Sequence, residues 1–279
     1  MHDYDRSSKW LIQHHGDSIL RLGGLRNVRS WRPLQAEVVQ PRQLPDGLLE
    51  VQLQDQAEPS LVVVEIATYP EPMLSEQVVR DVMLVYLDRR VLPDVLTLVL
   101  SPRGSIRVSG AQELASPLGW TRHHLEWRVV ELWTLAADAL LEGKDPGLLP
   151  WVPLAHFDGP PEPVFRKCRQ QIDREATAPE RANLLAVTQV LTRLRYNDPQ
   201  LLTIFGGSQA MIESPLIQEM MAQRSHKAIL AFLEVRFKTV PTEIARKLES
   251  IVDEQKLDDL ARFAAECPDL EAFRLRLQS

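Results

Sequence analysis

Cysteine is scarce in this chain: Cys168 and Cys267 are the only two among 279 residues, and they form neither a closely spaced, even framework nor a CxxC pair. A disulfide-stapled secreted scaffold is therefore not expected, nor is a sulfur-ligated metal, and both thiols read as reduced groups of a cytoplasmic protein. Long apolar runs are missing as well. Nowhere do the roughly 18 consecutive apolar residues needed to span a bilayer occur, and the opening MHDYDRSSKW has no basic region leading into an apolar core. Membrane insertion and secretion are both unexpected. There is no low-complexity tract, heptad run or regular internal repeat. Nor is there an excess of positive charge: a formal net charge of −6 argues against a protein that coats nucleic acid by bulk electrostatics. Residues 1–45 are nevertheless locally basic, with Arg6, Lys9, Arg21, Arg26, Arg29, Arg32 and Arg42 against Asp3, Asp5, Asp17 and Glu37. A solvated surface with scattered arginines would give the same count.

What is present fits an ordinary globular protein of one large or two smaller domains, 44% of whose residues are hydrophobic and 25% charged. Apolar residues at helical spacing predict a helix from Ser7 to about Leu22, stopped by Gly23-Gly24. Short runs rich in Val and Leu then predict strands at Leu34 to Gln40, Gly47 to Gln54, Leu61 to Ala67 and Val95 to Leu100. Between the last two, SEQVVRDVMLVYLDRR (75–90) has helical period. A strand at Leu125 to Leu132 and a helix at Thr134 to Leu141 follow. The Pro- and Gly-dense DPGLLPWVPLAHFDGPPEP (145–163) is the most plausible boundary, giving an α/β domain over 1–157 and an all-helical region over 158–279. Helices are expected there at Pro163 to Arg174, Pro179 to Arg195, Ser214 to Gln223 and from Ser225 onward.

One residue breaks its strand. Leu61-Val62-Val63-Val64-Glu65-Ile66 is the nearly continuous apolar run of a strand covered on both faces, and Glu65 interrupts it. A buried carboxylate costs several kcal/mol of desolvation unless it is paired, hydrogen-bonded or bound to a cation. If the preceding strand pairs with it as an antiparallel hairpin through a loop of about six residues, Asp46 falls opposite, or one pair removed from, Glu65 to Ala67. Asp46, Glu65 and the carbonyl of Ile66 or Ala67 would then suit a hard divalent cation such as Mg²⁺ or Mn²⁺. Strand capping by Asp46 and ion pairing of Glu65 in the core are the bland alternatives.

Pro45-Asp46 at the head of one strand, then Glu65-Ile66-Ala67 on the next, then a helix and a strand, resembles the PD-(D/E)XK nuclease superfamily. Within it the chain looks most like the recombination-promoting nuclease (Rpn) and transposase-like group, whose members often begin with His-Asp before a helix, as His2-Asp3 does, and carry an Arg and a Tyr on the helix after the Glu strand, as Arg80 and Tyr86 do. The stretch from Ala228 to Phe273 is similar to a small helical domain of unknown function often appended to these proteins. The resemblance implies a restriction-endonuclease-like mixed sheet flanked by helices and Mg²⁺-dependent cleavage of DNA, linked to recombination or mobile elements. It departs at Ala67, where the superfamily has Lys and this group often Gln; Gln77 and Arg80, three apart on the next helix, are the candidate replacements. Ala67 equally suits a catalytically impaired descendant that serves as a binding or assembly module. An unrelated α/β protein whose Glu65 is ion-paired in the core is the third reading.

Other signals are weaker. His14-His15 and His123-His124 lack metal-ligand spacing, and His2, His156 and His226 have no better pattern. Gly206-Gly207-Ser208-Gln209-Ala210 lacks the final Gly of a nucleophile elbow and reads as a turn between helices. Trp120, Trp127, Trp133 and Trp151 read as packing rather than as a base-stacking surface. The helical tail has no Lys/Arg stripe and so reads as a packing or protein-contact module.

Overall fold

The structure, a computed structural model, describes residues 3–34, 45–116 and 121–278. His2 and Trp120, and the part of the first expected strand beyond Leu34, lie outside the described residues.

Two helices, α1 (Asp3–His14) and α2 (Gly16–Leu22), replace the single helix expected from Ser7 to Leu22. The helical path is interrupted at His15, whose φ is −134°, and next to it a Cβ on Gly16 would sit 2.6 Å from Cε3 of Trp31, so the chain there lies close against the sheet. Strands β1 (Val28–Leu34), β2 (Gly47–Leu53) and β3 (Ser60–Ala67) follow. Helix α3 (Leu74–Arg89) then crosses to β4 (Asp94–Val99). Strand β1 was not expected, because Val28–Leu34 carries Arg29, Arg32 and Pro33 on a half-exposed edge and has little apolar alternation to read.

The run expected to form one strand from Leu125 to Leu132 is divided at Trp127. Its first part, β6 (Arg122–Glu126), pairs with β5 (Ala111–Ala115) in a separate two-stranded ribbon, and its second, β7 (Arg128–Glu131), joins the main sheet. That sheet has the order β1-β2-β3-β4-β7, antiparallel from β1 to β3 and parallel from β3 to β7. One face packs on α3, where Val78, Val82 and Val85 meet Leu48, Leu61, Val63 and Val95. Residues of opposite parity, such as Leu49, turn to the other face, where Ile12 and Gly16 approach the sheet.

Helix α4 (Ala137–Glu142) and the buried 3₁₀ segment Leu149–Leu154 come next, and the segment is packed by α5 (Pro161–Glu175) and α6 (Ala178–Arg195). Thus the Pro-rich stretch expected to be a boundary is partly core, with Trp151 fully buried. Contacts divide the chain into compact units 1–207 and 208–279, rather than at 157/158. The first unit continues through α7 (Pro199–Thr203), and Gly206 and Gly207, both at positive φ, make the turn before α8 (Gly207–Glu213).

In the second unit, α9 (Pro215–Phe237) is continuous through Gln223-Arg224, where two helices were expected. It packs with α10 (Thr242–Glu249), α11 (Glu254–Glu266) and α12 (Leu270–Gln278) around Ile229, Leu233, Leu248, Leu260 and Phe273. No helix among the described residues is long and apolar enough to cross a membrane.

Candidate functional site

The β2–β3 ladder ends at Gly47 opposite Val64, two residues short of Ile66. Asp46, one step beyond that last pair, completes it with a side chain: Oδ2 accepts the backbone N–H of Ile66 at 2.9 Å. The loop that closes this hairpin has the six residues from Gln54 to Pro59, as the sequence suggested. By strand parity Glu65 shares the α3 face with Leu61 and Val63, while Asp46 stands at the head of β2, its carboxylate filling the ladder position at the Ile66 amide. The two acids are near enough for the charge of Asp46 to act on Glu65.

Glu65 is 0% exposed. Its Oε2 accepts from Nε2 of Gln77, one turn into α3, at 2.8 Å. Its Oε1 is buried and has no hydrogen-bond partner. Burial, then the charges of Asp46 and Asp81 and a side-chain hydrogen bond shared with Asp81, push the Glu65 carboxyl well above the usual carboxylate range, and a hydrogen bond from the Asp46 backbone works the other way. Burial of this kind disfavours the ionised form, and a bound cation would offset that cost.

Asp81, also 0% exposed, is a member of this group that the sequence did not announce. It follows Gln77 by one helical turn and so faces the sheet beside Glu65. Its neighbour Arg80 bonds it from outside, Nε to Oδ1 at 3.0 Å. Thr97 is the second unannounced member: it is paired with Glu65 in the parallel β3–β4 register, is fully buried, and has an Oγ1 without a partner. Lys9 is the third. From α1 its Nζ reaches Oδ1 of Asp46 at 2.9 Å, the two side chains being 37% and 13% exposed.

Of the four expected site residues, Asp46, Glu65 and Gln77 come together around Glu65, whereas Arg80 spends its guanidinium on Asp81. Ala67 contributes no side-chain polar group, and its carbonyl accepts from the Leu100 amide at 2.9 Å. Ile66 is thus the better source of a backbone oxygen. Among the described residues no group of three or more His, Cys, Asp or Glu side chains is arranged to hold a metal ion. A two-carboxylate site completed by a backbone oxygen and solvent makes a smaller demand, and the orphaned Oε1 of Glu65 beside Asp46 fits it.

The other signals resolve into packing. His14 stacks on Trp10 with ring centroids 4.6 Å apart, and Nε2 of His226 bonds the Ile251 carbonyl at 2.8 Å. Arg107 lies over the Trp133 ring, and Trp127 packs beside the α3 core. In the basic N-terminal segment, Arg32 is paired with Glu50 and Arg21 with Asp17 and Asp145. Tyr86 is 42% exposed, well along α3 from Glu65. A cleft of about 520 Å³ lies at the opposite end of the sheet, lined by Val51, Leu53, Val62, Leu96 and Arg128, and includes none of the candidate residues. No protein-family model matches the chain, and no curated protein or solved structure does.

Proposed function

We propose that the chain is a metal-dependent DNA endonuclease-like protein of the PD-(D/E)XK type, with Asp46 and Glu65 holding Mg²⁺ or Mn²⁺. The observation that carries this reading is Oε1 of Glu65: buried, without a partner, and next to a second carboxylate. Strand order adds support, since the acid-headed β2, the Glu-bearing β3, the helix α3 and the parallel β4 follow one another as in the restriction-endonuclease-like fold. A divalent ion in such a place activates water and offsets phosphate charge. The chain's own groups do the positioning: the Ile66 amide fixes Asp46, and Gln77 fixes the Glu65 carboxylate in one rotamer. Gln77 is thereby an orienting residue, and Arg80, half-exposed at the outer end, holds the Asp81 carboxylate beside it.

A second reading, a catalytically impaired nuclease-fold protein acting as a binding or assembly module, is favoured by Ala67 and by the ion pair that already engages Asp46. Plasmid nicking with Mg²⁺ or Mn²⁺ separates the two. The nuclease reading expects wild type to nick and Asp46→Ala and Glu65→Ala to lose at least a hundredfold; equal activity in all three disposes of it.

A further inference from the structure

We propose that Lys9 is a tethered counter-ion that occupies the cation side of Asp46 until a divalent ion arrives, and is then released to meet a phosphate oxygen; this rests on the nuclease reading above.

Three observations carry it. Both oxygens of Asp46 are engaged, Oδ2 by the Ile66 amide and Oδ1 by Nζ of Lys9, each at 2.9 Å. A metal drawing on Asp46 has to displace or share one of them, and the amide, held in a β-strand, is the less mobile. Second, the approach of α1 is built into the sheet: a Cβ on Gly47 would lie 2.5 Å from Cγ2 of Ile12. The missing side chain lets α1 lie close against the head of β2. Lys9, one turn before Ile12 on α1, is thereby brought over Asp46. Third, position 67 holds Ala and the cations nearest on α3 are committed elsewhere, Arg80 to Asp81. Among the described residues Lys9 is a positive group already at Asp46, and its side chain is 37% exposed and so open to a phosphate in solvent.

Lysine suits this exchange. A single ammonium on a flexible stem can leave one oxygen for another without the planar, two-point geometry that a guanidinium imposes. Removing it has two opposed consequences. The Asp46 carboxylate loses its competitor, so a divalent ion should bind more tightly. The loaded site loses a phosphate contact, so DNA should bind more weakly.

The test is calorimetric titration of Mn²⁺ into wild type, Lys9→Met, Lys9→Arg and Glu65→Gln. Alongside it, binding of a short DNA duplex in Ca²⁺ is measured over a range of salt, and thermal melting checks each variant's fold. The expected result is Mn²⁺ affinity raised roughly two- to fivefold in Lys9→Met, the scale of a partly exposed ion pair. Its salt dependence of duplex binding should fall by about one phosphate contact. Lys9→Arg should restore the salt dependence. If Mn²⁺ binding is lost in Glu65→Gln but unchanged or weaker in Lys9→Met, the counter-ion proposal is overturned while the nuclease reading stands. If neither wild type nor Lys9→Met binds Mn²⁺, both fall.

Discussion

Thr97 stands directly across from Glu65 in the β3–β4 pairing, and each presents a buried oxygen with no partner to the same side of the sheet. Two unmet oxygens beside one another inside an apolar α3–sheet interface are costly, and the charges of the neighbouring Asp81 and Asp46 add to that cost. The candidate site is therefore a place where the fold gives up stability.

This cost has a pH signature. The Glu65 carboxyl is raised above its ordinary value of 4.5, mainly by burial and then by Asp46 and Asp81. A group raised on folding contributes stability that is complete below the unfolded value and is lost as pH rises through the folded one. Without divalent ions, stability should therefore decline from about pH 4.5 upward through the raised value, as far as this group governs it. Glu65→Gln, which has nothing to ionise, should flatten that decline and stabilise the protein at neutral pH by about 1–3 kcal/mol. Urea denaturation at several pH values checks this, and parallel stability curves for the two proteins would refute it.

Asp46 acts in the opposite direction on the same neighbours. Asp46→Ala removes the acceptor for the Ile66 amide, which costs about 1–3 kcal/mol if no water replaces it. It also removes a charge that raises the Glu65 carboxyl, so the Glu65 titration, followed by carboxyl NMR, should move toward lower pH. A titration that stays in place means that the two acids are not electrostatically coupled.

The close approach of α1 to the sheet gives a separate stability prediction. A methyl group on Gly47 would fall on Ile12, so Gly47→Ala should destabilise by about 1–3 kcal/mol. Gly47→Ala should cost less in an Ile12→Ala background, because that truncation removes Cγ2, the atom in the way. Thermal melting of wild type, the two single variants and the double variant reads this, and equal melting temperatures for wild type and Gly47→Ala would contradict the packing.

Much of this arrangement was legible in the sequence, for reasons that can be named. Glu65 announced itself because a lone carboxylate interrupted Leu61–Ile66, and the six-residue loop then fixed which residue of β2 would oppose it. Lys9 could not be read, because its partner lies 37 positions away and depends on how α1 packs. Asp81 was hidden by composition: in VVRDVM it reads as half of an exposed charged pair, and only the helix orientation shows that Arg80 points out and Asp81 in. Strands β5 and β6 form a mostly exposed ribbon, so they lack the apolar alternation that marks a core strand, and Trp127 concealed the break between β6 and β7. Gly16 stands beside the break between α1 and α2, but the contact with Trp31 that leaves no room for a side chain there is a tertiary one.

The central claim is that Asp46 and Glu65 hold one divalent cation, and thermal unfolding of the ion-free protein titrated with Mn²⁺ tests it most directly. The melting temperature of wild type should rise with Mn²⁺ and keep rising slowly once the site is filled, since an ion that binds only the folded state stabilises it by about 2.7 kcal/mol at a hundred times Kd. Glu65→Gln, starting from a higher melting temperature, should show no such rise. An equal rise in both proteins, or none in either, would contradict the claim.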